Sequence, residues 1–155
     1  MQALDPDPCD LAIVLCDGLS PGAIERNGST LAAAIASSAL LRDWSIGVMA
    51  VITNGRVAVG DDVGAALRAR FVAVLIGERP GLSVPESIGV YLTCDPGPGR
   101  NDAQRNCVSN IHDRGLPMDA AVRQIVGLAV RARLAGLTGV ALKDRDPLTT
   151  DAVPS

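Results

Sequence analysis

The residues best equipped for chemistry in this chain are gathered in one stretch, Leu75-Ile76-Gly77-Glu78-Arg79-Pro80-Gly81-Leu82. A carboxylate, a guanidinium, a proline and glycines stand directly after a β-branched apolar run over residues 71–76. Such a run reads as a buried strand. Open α/β sheets bind ligands in the crevice beyond the carboxyl ends of their strands. Glu78 can accept hydrogen bonds there, and Gly77 and Gly81 allow backbone to approach a ligand closely. Asp17-Gly18-Leu19-Ser20 could aim backbone N–H groups at an anion, although the same residue types fill ordinary turns. Asp61 and Asp62 are adjacent carboxylates. They read most simply as a helix N-terminus that welcomes negative charge. Arg68 and Arg70 read as a solvated helix end.

Two further motifs involve soft or basic ligands. Asn110-Ile111-His112-Asp113-Arg114-Gly115 nearly matches D-x-H-x-x-G, a loop that gives histidine to cobalt in some cobalamin enzymes. Asn110 replaces the aspartate that would orient the imidazole. Only one helix and one short strand can follow it, too little for the nucleotide-burying domain such a loop serves. His112 is therefore read as a surface loop residue. Cys107, among polar neighbours, is placed for contact and not for packing. No basic cluster is evident to lower its pKa, so a metal-ligating thiolate is not expected.

Other chemistries are excluded by what is missing. There is no G-x-S-x-G, no Walker-type G-x-x-x-x-G-K-[ST], and no G-x-G-x-x-G after the first strand. Cys9, Cys16, Cys94 and Cys107 form no C-x-x-C pair, and with a single histidine there is no zinc-type cluster. No signal-peptide pattern is present, so the thiols are expected to stay reduced in the cytoplasm. The net charge of −3 argues against a nucleic-acid face. Aromatic residues at 2% leave few platforms for stacking bases. No window approaches the roughly 18 apolar residues of a membrane span.

The elements that must position these residues follow from periodicity. Residues 1–10 read as a frayed N-terminal lead-in. Residues 11–16 (LAIVLC) are continuously apolar, as in a strand covered on both faces. A turn and a helix follow, broken at Asn27-Gly28. A second helix is expected over 30–41, capped by Ser29. Residues 45–53 read as a strand, Asn54-Gly55 as a tight turn, and 56–60 as a short extended piece. Asp61 or Asp62 is expected to cap a helix reaching about residue 70. Strands are expected at 71–76 and 88–93, and a polar, compact segment at 106–110. Residues 118–134 repeat apolar side chains at helical spacing, ended by Gly136. A last short strand is expected over 138–142. The fold class expected is α/β: a Rossmann-like, mostly parallel sheet with helices on both faces. One domain would occupy 11–143, with a flexible tail over 144–155.

Five segments, taken together and in order, resemble the small subunit, or light chain, of ethanolamine ammonia-lyase. They are Cys16-Asp17-Gly18-Leu19-Ser20, Gly55-Arg56-Val57-Ala58-Val59-Gly60-Asp61, Leu75-Ile76-Gly77-Glu78-Arg79-Pro80-Gly81-Leu82, Arg105-Asn106-Cys107-Val108-Ser109-Asn110, and LTGVALKD over 137–144. Against that family the chain reads as short at its N-terminus. The resemblance implies an adenosylcobalamin-dependent carbon–nitrogen lyase that deaminates ethanolamine to acetaldehyde and ammonia. The large subunit would hold the substrate and most of the radical chemistry. The small subunit would be inactive alone and would cover part of the cobalamin. It further implies cofactor contacts at Val57, Glu78 and Cys107, with no catalytic residue and no metal ligand on this chain. It also implies a hetero-oligomer with the large subunit, cytoplasmic or enclosed in a bacterial microcompartment, with no nucleic-acid or membrane partner. A different class stays open, a free-standing flavodoxin- or receiver-like ligand-binding module. Asp17 and Lys143 favour it, but the acidic pair that a receiver carries is absent.

Overall fold

The structure, a computed structural model, describes residues 7–47, 50–53, 55–79 and 86–145. Five strands form one sheet: β1 (Cys9–Cys16), β2 (Ala50–Ile52), β3 (Ala69–Glu78), β4 (Ser87–Cys94) and β5 (Arg105–Ile111). Their spatial order is β2-β1-β3-β4-β5. β1 is parallel to β2 and β3, whereas β3 pairs with β4, and β4 with β5, in antiparallel register.

The sheet is therefore mixed, and the expected mostly parallel Rossmann-like sheet with helices on both faces is overturned. The cause lies in the connections. A parallel crossover needs a dozen or so residues, most often a helix. Residues 79–86 alone join β3 to β4. Residues 95–104 join β4 to β5 with nothing more regular than the short 3₁₀ turn Asp102–Gln104. Both links can only return the chain antiparallel. Reversal of β4 also removes the flavodoxin- or receiver-like reading, because those sheets run parallel throughout.

The helices are unevenly shared. Pro21–Ala23 (α1) leads through a π-helical stretch, Ile24–Gly28, into Ser29–Ala36 (α2). The chain is helical across Asn27-Gly28, where a break was expected. Ser29 is a helical residue and not a cap, and α2 ends before the 3₁₀ turn Ala39–Leu41. Val59–Ala66 (α3) starts ahead of the aspartates expected to cap it. Met118–Ala135 (α4) agrees with its apolar period and ends at Gly136, which takes the left-handed φ of 75°. Val140–Arg145 (α5) is a helix where a strand was expected. The missed strand is β5: only Arg105, Val108 and Ile111 are buried along it, and a register shift opposite Ile88 and Val90 breaks the alternation that would mark a strand. Gly81 and its neighbours 80–85, Asn54, residues 1–6 and the tail beyond 145 lie outside the described residues.

α1, α2, α4 and α5 pack on one face. There Leu11, Ile13, Leu15, Phe71, Leu75, Val90 and Leu92 meet Leu31, Ile35, Ile125 and Val126. Among the described residues α3 is the only helix on the opposite face, where Val59 and Val63 meet Val14, Val72 and Val74. It lies mainly along β3 and β1. Gly60 allows this approach, since a Cβ there would fall 2.2 Å from a Val74 methyl. Side chains alternate across a strand, so β4 and β5 turn Gly89, Tyr91, Thr93, Arg105 and Cys107 to the face that α3 only partly covers.

Candidate functional site

Beside α3, on that partly covered face, lies an open cavity of about 460 Å³ lined by Leu19, Glu78, Arg79, Ser87, Tyr91, Cys107, Ser109 and Asn110. Glu78 ends β3, Tyr91 lies mid-β4, and Cys107 sits directly opposite Tyr91 on β5. Tyr91 donates its phenol O–H to Glu78 Oε2 at 2.9 Å. Leu19 is 79% exposed and offers an apolar wall at the mouth. Ser87 is buried, and among the described residues its Oγ has no hydrogen-bond partner. A buried hydroxyl left unpaired in a cavity wall suits a polar ligand group.

The electrostatics keep the donors protonated. Desolvation pushes the Tyr91 phenol far above its ordinary value, helped by the neighbouring Cys107 and Glu78. The Cys107 thiol is raised first by desolvation and also by the Glu78 carboxylate, while hydrogen bonding to Tyr91 pulls it back in part. Although the residue as a whole is exposed, its sulfur stays a thiol at neutral pH. Cys107 is thus expected to react with iodoacetamide along a pH profile that inflects above the ordinary thiol value of 9.0. Tyr91→Phe should move that inflection higher still. An inflection below the ordinary value would contradict this electrostatic account.

The three residues expected to contact a cofactor are thus placed unequally. Glu78 and Cys107 share the cavity. Val57 lies on the same side of the sheet, in the turn before α3 and not in an extended segment. It is half-buried against the cluster of Val74 and Ile76 and does not line the cavity. Tyr91 and Ser87 carry no sequence signal of a site, and Leu19 entered only through its turn's backbone N–H groups and the family motif, not as an apolar wall. Tyr91 was hidden in a strand whose period marks it only as facing away from Val90 and Leu92.

The adjacent carboxylates have a more specific role than helix-end charge. Asp62 is exposed, but Asp61 is buried and takes a two-pronged bond from Arg105 of β5, Nη1 to Oδ1 at 2.7 Å and Nη2 to Oδ2 at 2.9 Å. Arg105 Nη1 also donates to Thr93 Oγ1 at 3.2 Å. Its hydrogen bond to the Asp61 carboxylate raises the Arg105 pKa, outweighing the desolvation that opposes it. This pair fastens α3, just after Val57, to β5, just before Cys107.

The other candidates are structural. Leu19 N–H donates to Gly77 carbonyl at 3.0 Å and Ser20 N–H to Asp17 carbonyl at 3.1 Å, so these amides are spent within the turn. Gly77 is required by that same approach, for a Cβ there would meet the Ser20 carbonyl at 2.0 Å. The close contact expected of Gly77 is with the β1–α1 turn. His112 Nε2 meets Asn110 Oδ1 at 2.8 Å. It lines a second, polar cavity of about 390 Å³ with Arg26, Glu86 and Arg114. All four thiols are free. Among the described residues no group of three His, Cys, Asp or Glu could hold a metal ion. Nor is any helix among them long and apolar enough to cross a membrane.

Comparison with known proteins agrees with the motif set. The family model described as "Ethanolamine ammonia-lyase light chain (EutC)" matches residues 1–143. A protein of Rhodopseudomonas palustris (strain BisA53) named ethanolamine ammonia-lyase small subunit is 54% identical over 139 residues, 87% of this chain and 52% of that protein. One of the same name from Bradyrhizobium diazoefficiens is 49% identical over 138 residues, 88% of this chain and 53% of its own length. Another, from Rhodococcus erythropolis, is 44% identical over 156 residues, 100% of this chain and 60% of its own length. The chain thus spans about half the length of the curated relatives it matches. On the family match and these identities, the chain belongs to the ethanolamine ammonia-lyase light chain family.

Proposed function

We propose that this chain is the cofactor-covering part of a lyase that deaminates ethanolamine, working with a separate large subunit that holds the substrate. The observation that carries the reading is the meeting of Glu78, Tyr91 and Cys107 in one cavity on the face where α3 is the only helix among the described residues. A corrinoid is a broad apolar disc fringed with primary amides. It needs an apolar wall and a few fixed polar groups. Leu19 and the Tyr91 ring supply the wall. Glu78 supplies an acceptor for amide N–H, and Ser87 Oγ, unpaired among the described residues, can donate or accept. The residues therefore fit one edge of adenosylcobalamin, and the openness of the site calls for a partner to enclose the rest.

When bound, the cofactor supplies a carbon radical that starts hydrogen abstraction from the substrate. The contribution of this chain is to bind and orient. Glu78 grips the amide fringe, Leu19 and Tyr91 keep water from one rim, and the neutral Cys107 thiol adds contact without charge. Val57 would then act from the turn before α3, where its methyl groups face the same side. The reaction is confined to the two-subunit complex, in the cytoplasm or a microcompartment.

The test mixes this chain with the large subunit, ethanolamine and adenosylcobalamin. Acetaldehyde should form well above the level of the large subunit alone, and the coloured cofactor should co-elute with both chains. A corrinoid that elutes free, with no acetaldehyde, would defeat the reading. A longer relative of the same family, run in parallel, controls for the length of chain.

A further inference from the structure

The geometry points to Tyr91 and Gly89 of β4 as positioning residues that hold Glu78 in its working orientation. This rests on the proposed cofactor reading and deepens it. Glu78 pairs across the sheet with Ser87, while Gly89 and Tyr91 lie opposite Ile76 and Val74. To reach the Tyr91 phenol, the Glu78 side chain must fold back along β4 over the intervening residue. That residue is glycine. A Cβ at Gly89 would fall 2.5 Å from Glu78 Oε1 and 2.8 Å from its Cδ, inside contact distance. Gly89 is thus the channel in which the carboxylate lies, and the 2.9 Å bond from Tyr91 to Oε2 is its anchor.

The arrangement has a chemical consequence. One carboxylate oxygen is occupied by a neutral donor, and the side chain is laid flat beside the cavity. The remaining lone pairs are left for N–H donors of a ligand. A glutamate free to swing would pay the rotamer entropy of a long side chain on binding. Ordering it in advance is worth affinity without a new contact. Gly89 and the Tyr91 phenol act through Glu78, while the Tyr91 ring forms part of the cavity wall.

The experiment titrates adenosylcobalamin spectrophotometrically into the two-subunit complex carrying Glu78→Ala, Tyr91→Phe, Gly89→Ala or the double change Glu78→Ala with Tyr91→Phe. Hydrogen bonds to charged groups translate to about a tenfold to a hundredfold change in Kd. Tyr91→Phe and Gly89→Ala should each weaken binding about tenfold. Both should keep far-UV dichroism and unfolding midpoint, since phenylalanine fills the same space and the atoms displaced by alanine end a flexible side chain. In the Glu78→Ala background, Tyr91→Phe should cause no further loss. A purely structural role for Tyr91 would not vanish in that background. Wild-type affinity in both single variants overturns the inference while leaving Glu78 as a contact. A full Tyr91→Phe loss without Glu78 overturns it too, because the phenol would then act by itself. If Glu78→Ala binds as wild type, the reading of Glu78 as a contact fails first, and the positioning role falls with it. Should Gly89→Ala not fold, the cycle between Glu78 and Tyr91 decides alone.

Discussion

Asp61→Ala should lower the unfolding free energy by about 3–5 kcal/mol, the cost of leaving a buried guanidinium without its anion. Both side chains are shielded, at 5% exposure for Arg105 and 8% for Asp61. The bond is two-pronged, a geometry that suits arginine and carboxylate. Asp102 cannot replace Asp61, because its side chain is 99% exposed and reaches only Nε, at 3.3 Å. Exposed ion pairs contribute about 0–1 kcal/mol, so the size of the loss distinguishes a buried pair from a surface one. Urea unfolding is the measurement, with the midpoint falling and the slope unchanged. The companion variant carries both Asp61→Leu and Arg105→Met. Replacing a buried pair by apolar residues of similar volume is often neutral or stabilising, so this variant should recover most of the loss. A loss under about 1 kcal/mol for Asp61→Ala would place the pair among surface contacts. The consequence reaches the site, since this bond ties the turn of Val57 to the strand of Cys107.

Phe71→Ala is expected to be comparably severe, about 3–5 kcal/mol, for a different reason. Phe71 is fully buried and is the largest side chain so enclosed. In a chain with one Trp, one Tyr and one Phe, the core is otherwise aliphatic. Its ring lies 5.5 Å from that of Trp44. Trp44 in turn lies beneath the Arg133 guanidinium of α4, at 4.7 Å. Truncation leaves a cavity that the neighbouring strands cannot close, because their backbones are held by pairing on both sides. Trp44 is the one indole in the chain, so its fluorescence reports this locus without ambiguity. Phe71→Leu, which refills much of the space, should cost less. An Ala variant within 1 kcal/mol of wild type, read in the same urea titration, would mean that the core collapses freely around the gap, against the usual behaviour of packed interiors.

The two variants probe opposite faces of the sheet. Phe71 belongs to the layer shared with α2 and α4, and Asp61 to the side on which α3 lies. There Tyr91, Glu78 and Cys107 are held by the pairing of β3, β4 and β5. A site built on strands is positioned rigidly, while its exposure leaves room for a ligand and a partner to share the cover.

By itself the sequence determined the features that depend on neighbours along the chain. Continuous apolar runs marked β1, β3 and β4, because a strand covered on both faces needs apolar residues at every position. The helical period marked α4, and Gly136 marked its end. The ordered motifs marked the family, and Val57, Glu78 and Cys107 entered through that resemblance as proposed cofactor contacts. Only the tertiary structure decided the direction of β4, the existence of β5 and the company those residues keep. β5 is an edge strand with a shifted register, so its polar residues do not alternate. Whether a connection crosses over or turns back depends on where its ends meet in space. Asp61 looked like helix-end charge because its partner lies 44 positions away. Tyr91 looked like a strand residue among others because its partner Glu78 stands on another strand, reached over a glycine. Pairings of that kind arise from packing, and no local pattern of residue types records them.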